Sequence, residues 1–176
     1  MTGQPDSFVI SYWAKRVTVE HRLAGGNLTW STKAERYTVP CVCHLLGSAI
    51  CVYAFDKGRG KTLVHALLVV DWASHEAFYA GFPAESAPLN GKVDIDRGAV
   101  ESEYWMAAAS AFPRSDPNPG SEQTPRDRVF TSSSGTRIEL HSGPTSPLLM
   151  VNSADGTTRS FRFPISSSHS SPPSSE

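Results

Sequence analysis

Cys41-Val-Cys43-His44 places two thiols and an imidazole within four residues, and Cys51 follows in the same apolar run. On a strand Cys41 and Cys43 project from one side, so two thiolates could meet one metal ion. A structural zinc takes four ligands, commonly from two spaced pairs. No second cysteine pair exists, so His65 and His75 would have to complete the set. Nucleophilic catalysis is the other chemistry open to these groups. It needs a thiolate stabilised by a histidine that a third group orients. Cys51, His65 and Asp71 supply one such triple, and Cys41, His75 and Glu76 another. Thr38–Phe55 is nearly uncharged and apolar, however, and such surroundings favour the neutral thiol. The three cysteines are therefore expected to be buried, unbridged core residues, as in a reducing compartment. No catalytic, cofactor-binding or metal-ligating residue is assigned.

Two further segments imitate known sites. Lys57-Gly-Arg-Gly-Lys-Thr62 has the end of a phosphate loop, but the required first glycine is replaced by Phe55. Asp94-Ile-Asp96-Arg-Gly98 starts like a calcium loop, yet it lacks the third ligand, the glycine spacing and the distal glutamate. A basic turn and a helix start are the expected readings. The amino-terminal half also interleaves basic and aromatic residues: Tyr12, Trp13, Lys15, Arg16, Arg22, Trp30, Lys33, Arg36 and Tyr37. Single-stranded nucleic-acid sites combine these ingredients on a sheet face. Trp30 and Tyr37 fall on opposite phases of one 28–39 strand, which leaves at most one of them on a given face.

The elements that must position these groups are mostly strands. Phe8, Ile10 and Tyr12 alternate in one phase, Val17, Val19 and Leu23 in the other, with a bulge or break required near Trp13–Lys15. Gly25-Gly26-Asn27 marks a turn before the strand at 28–39. Residues 41–55 are apolar on both phases, and Val42, Ile50, Val52, Tyr53 and Phe55 favour strand over helix. Leu63–Trp72 reads as a central strand, with Glu76–Phe82 able to pair with it. Val100, Tyr104, Ala108 and Ala111 recur at helical spacing, which predicts a helix over about 99–112 with Asp94 and Asp96 ahead of it. Four prolines mark 113–128 as an exposed loop. Two hairpins follow, one turning at Ser132–Gly135 and one at Asp155-Gly156. The second aligns Phe161, Phe163 and Ile165 on one face.

The expected organisation is a flexible stretch at 1–7, one domain over 8–165, and a disordered Ser/Pro-rich tail at 166–176. The fold class is mainly β, an antiparallel sandwich or partly closed barrel with one inserted helix. An α+β fold is the alternative if 41–55 is helical. Net charge is -1 over 176 residues, so the whole chain is no polyanion binder, although residues 1–62 carry +4 and residues 63–122 carry -6. No secretory signal or membrane-spanning run is legible, which leads to a cytoplasmic expectation, and Asn27-Leu-Thr29 reads as a chance sequon. The expected function is a non-catalytic binding or interaction domain, with a protein as the first expected partner. The alternatives are a Cys/His acyl-transfer or hydrolytic enzyme and a single-stranded nucleic-acid binder.

Overall fold

Eight strands follow one another as hairpins: β1 (Ser7–Tyr12), β2 (Val17–Ala24), β3 (Asn27–Ser31), β4 (Arg36–Leu46), β5 (Ile50–Lys57), β6 (Val64–Asp71), β7 (Glu76–Pro83) and β8 (Asp94–Glu101). Each pairs antiparallel with the next, and β8 returns to β1 through Ile10↔Val100 and Tyr12↔Gly98, closing a barrel. Closure gives each of these strands a neighbour on both sides over at least part of its length. Four more strands, β9 (Arg128–Thr131), β10 (Arg137–Ser142), β11 (Pro147–Asn152) and β12 (Thr158–Arg162), form a second antiparallel sheet. The structure is a computed structural model and describes residues 5–13, 15–83, 94–101, 128–142 and 147–162.

Two buried clusters account for the patterning. Inside the barrel, Phe8, Ile10, Val19, Leu28, Tyr53, Leu68, Val70 and Val100 meet. Outside it, Val52, Leu67, Val69, Phe78 and Ala80 pack against Ile138, Leu140, Leu149, Val151 and Phe161 of the second sheet. Strands β5 to β7 are thus buried on both faces, and so they are apolar on both phases. β2, which the second sheet does not cover, keeps a strict exposed-buried alternation over Thr18–Arg22. The strand reading of 41–55 holds, as the β4–β5 hairpin rather than one element. The break expected near Trp13 is the β1–β2 turn, where Arg16 takes a positive φ of 51°.

The expected helix start at residue 99 is corrected. Residues 94–101 are strand β8, with Ser11↔Ala99 and Ile10↔Val100 in the seam. Its alternation is real but hidden, because the inward positions carry Asp96 and Gly98 and so give no apolar signal. Residues 102–112 lie outside the described residues, as do 113–127, Phe163, Ile165 and the 166–176 tail. Both carboxy-terminal hairpins form as expected, and Leu149 pairs directly with Phe161.

Gly98 is fixed by the closure. A Cβ there would lie 2.4 Å from the carbonyl oxygen of Ser11 and 3.0 Å from Ile10 Cγ2. Gly98→Ala should therefore cost about 1–3 kcal/mol by overpacking the seam. Urea unfolding checks this; an unchanged midpoint would mean that β1 and β8 do not approach so closely.

Candidate functional site: the polar end of the barrel interior

The carboxy-terminal ends of β1, β3, β5 and β7 and the amino-terminal ends of β2, β4, β6 and β8 meet at one end of the barrel. Strand alternation directs Tyr12, Trp30, Tyr37, Lys57, Tyr79 and Asp96 inwards there. The rings form a continuous group. Tyr12 stacks on Trp30 with centroids 5.8 Å apart, and Trp30 stacks on Tyr37 at 6.0 Å. Tyr79 tilts against Trp30 at 5.7 Å. Lys57 Nζ lies 5.6 Å from the Trp30 ring centre and 5.0 Å from that of Tyr79. The backbone turn after Lys57 depends on Gly58, at φ +85°, where a Cβ would sit 2.3 Å from the Thr62 carbonyl oxygen. That turn is all that the Lys57–Thr62 segment forms: a short 3-10 turn at Gly60–Thr62 closed by Thr62 Oγ1 donating to Arg59 O at 2.9 Å.

The polar atoms in this group are unusual. Tyr12 is 4% exposed and Tyr79 2%, yet the hydroxyls of Tyr12, Tyr37 and Tyr79 find no hydrogen-bond partner among the described residues. Most buried polar groups have one, and each that lacks one costs roughly 1–3 kcal/mol. Burial pushes all three phenols well above their ordinary pKa, with neighbouring charges such as Asp96 and Asp94 adding to the rise at Tyr12 and Tyr79. They stay protonated and can both donate and accept. Burial also lowers the Lys57 ammonium, against the pull of Asp94 and Glu35. Asp94 itself is engaged at the rim, where Lys15 Nζ donates to both of its oxygens at 2.9 Å.

The cysteines face the same interior, towards the opposite end. All three are free. Only Cys51 is buried; Cys41 is half-buried and Cys43 exposed, so the expectation of three buried thiols is corrected. The reason is position. Cys43 lies where β4 runs past the covered part of the barrel. Burial raises the Cys41 thiol to about 11, and a hydrogen bond with Cys51, followed by burial, raises Cys43 strongly. His44 lies on the other side of β4, against Phe161 at 5.4 Å. His65 Nδ1 is 2.7 Å from Asp56 Oδ1. The acids named as orienters hold the second sheet instead. Asp71 accepts from Ser132 Oγ at 2.8 Å and from Ser134 Oγ, and Glu76 accepts from the Ser133 amide at 2.7 Å. Among the described residues no His, Cys, Asp and Glu cluster could hold a metal ion. Alkylation at pH 8 with peptide mapping should modify Cys43 well before Cys51; the reverse order would contradict this placement.

Trp30 and Tyr37 are directly opposed in the β3–β4 register and both face inwards. The expectation that they occupy different faces is corrected: the turn at Thr32–Glu35 resets the phase between two strands that the sequence presents as one. In that turn, Thr32 Oγ1 accepts from the amides of Ala34 and Glu35. The Thr-Lys-Ala-Glu run without Gly, Pro or Asn gave little warning of it. Tyr12, Trp30 and Tyr37, which the basic-aromatic stretch offered for stacking bases, therefore belong to the barrel interior rather than to an outer sheet face. No described helix is long and apolar enough to cross a membrane. Comparison with protein-family models, characterised proteins and solved structures found no match.

Proposed function

We propose that this protein is a non-catalytic binding domain whose site is the barrel interior at the Tyr12–Lys57 end, and whose ligand is a small molecule with a polar head. One observation carries this reading: three tyrosine hydroxyls converge on a ring-lined interior without partners among the described residues. Eight-stranded barrels are wide enough to be filled by side chains or to hold one small ligand. Ligand sites typically combine apolar and aromatic walls with a few convergent polar groups, and this end has that composition. A protein partner or a nucleic acid would need an outer surface, whereas the unsatisfied groups here point inwards.

Ring-resolved NMR with a set of small fragments, each carrying an alcohol, amine, ammonium or carboxylate, tests the proposal. At least one class should shift the Tyr12, Trp30 and Tyr79 ring signals saturably and leave Phe161 unchanged. Shifts confined to outer residues, or none with any class, would refute it.

A further inference from the structure

We propose that this end of the barrel is a cage for an alkylated ammonium group, and that Lys57 is its internal occupant in the free protein. The inference rests on the reading of the barrel interior as a ligand site. What the cage accepts is visible in what it already holds: an ammonium on a flexible alkyl stem, within cation–π distance of both Trp30 and Tyr79. Aromatic walls around a cation recognise quaternary and alkylated ammonium groups through the negative faces of the rings.

Charge points the same way. Asp94 and Asp96 act on Tyr12 and Tyr79, and Asp94 and Glu35 act on Lys57 against Lys15. An anion added beside Lys57 would meet these carboxylates, whereas a cation replacing Lys57 leaves the local balance unchanged. The unpartnered hydroxyls of Tyr12, Tyr37 and Tyr79 would then serve the polar group that the ligand's stem carries. Lys57 is also placed to leave. It ends β5, and Gly58 and the short turn at Gly60–Thr62 follow it. With no hydrogen bond or ion pair among the described residues, the Lys57 ammonium is held by the rings and by more distant charge alone.

An occupant that must move aside weakens the apparent affinity by the fraction of time that the cage is open. Three probes separate the outcomes: choline, its neutral isostere 3,3-dimethylbutan-1-ol, and butyrate. Each is titrated into the wild type, Lys57→Ala and Lys57→Met, with the Trp30 and Tyr79 ring signals as the readout. Choline should bind Lys57→Ala about tenfold or more tightly than the wild type. It should also exceed the neutral isostere by about fivefold or more in that variant. Lys57→Met, which keeps the stem and loses the charge, should lie between the other two and shows the same preference should Lys57→Ala fail to fold. Equal binding of choline and the isostere would overturn the cage but leave the interior as a ligand site. Butyrate binding that is tightest in the wild type and lost in Lys57→Ala would overturn it in favour of an anion. No ring shift with any probe in any of the three proteins would remove both readings.

Discussion

Acidification from pH 6.5 to pH 4 should remove about 3 kcal/mol of stability from this fold through His21 alone, at 1.36 kcal/mol per pKa unit. His21 is fully buried inside the barrel. Its ring stacks on Phe8, with centroids 5.0 Å apart and planes 10° from parallel, and meets Trp30 edge-on at 4.5 Å. Neither ring nitrogen has a partner of normal hydrogen-bond geometry among the described residues. Burial therefore lowers its pKa from 6.5 to about 3. The sign follows from proton binding. The unfolded chain takes up the proton near pH 6.5, whereas the folded protein resists until about pH 3. The contribution of His21 is thus whole above pH 6.5 and disappears as pH falls towards 3. Asp71, lowered by bonds from Ser134 and Ser132 despite its burial, adds its own loss only below the ordinary carboxylate range. His21→Phe keeps an aromatic ring between Phe8 and Trp30 and removes the proton. Urea unfolding across this pH range should show a steep fall for the wild type and a clearly shallower one for the variant, in which His44, lowered by burial and by Arg159, still contributes. Parallel curves would mean that the imidazole is protonated, or solvated, in the native state.

Phe161→Ala should cost about 3–5 kcal/mol, the usual penalty for truncating a buried aromatic. Phe161 is 6% exposed, is paired with Leu149, and belongs to the cluster that seats the second sheet on β4 to β7. Arg162, exposed beside it on the other face, should change stability by no more than about 0.5 kcal/mol when replaced by Ala. Thermal or urea melts of the two variants decide the matter. Similar melts would show that the second sheet is an appendage and not part of the same core.

Much of the architecture was legible because turns and alternation carry it. Asp155-Gly156 marked the last hairpin, and Leu149, Val151 and Phe161 showed its buried side. The apolar run through β5 and β6 announced strands covered on both faces. What sequence alone could not supply was closure. Whether β8 finds β1 depends on Gly98 opposite Tyr12, a long-range contact with no local signature. The site was hidden for a related reason. Its members, Tyr12, Trp30, Tyr37, Lys57 and Tyr79, come from five strands, and the segments that single out four of them, the basic-aromatic stretch and the Lys57–Thr62 turn, point to other chemistry. Cys41, Cys43 and His44 drew attention through their spacing, but alternation sends the histidine to the opposite side of the strand from the thiols. Lys57 read as part of a basic turn, and only the barrel shows that its phase points inwards.

Replacing the inward hydroxyls tests the central claim most directly. Tyr12→Phe and Tyr79→Phe each remove one buried oxygen and keep the ring. A hydroxyl kept for a ligand is a burden to the free protein, so each variant should be more stable than the wild type by about 1 kcal/mol, within the range for an unsatisfied buried group. The same variants should bind the ligand class found in the fragment experiment more weakly. Stability of the double variant, measured by urea unfolding without any added ligand, is the single decisive number. A gain is predicted. A loss would mean that these hydroxyls are bonded within the folded chain, and that the polar end of the barrel is core rather than site.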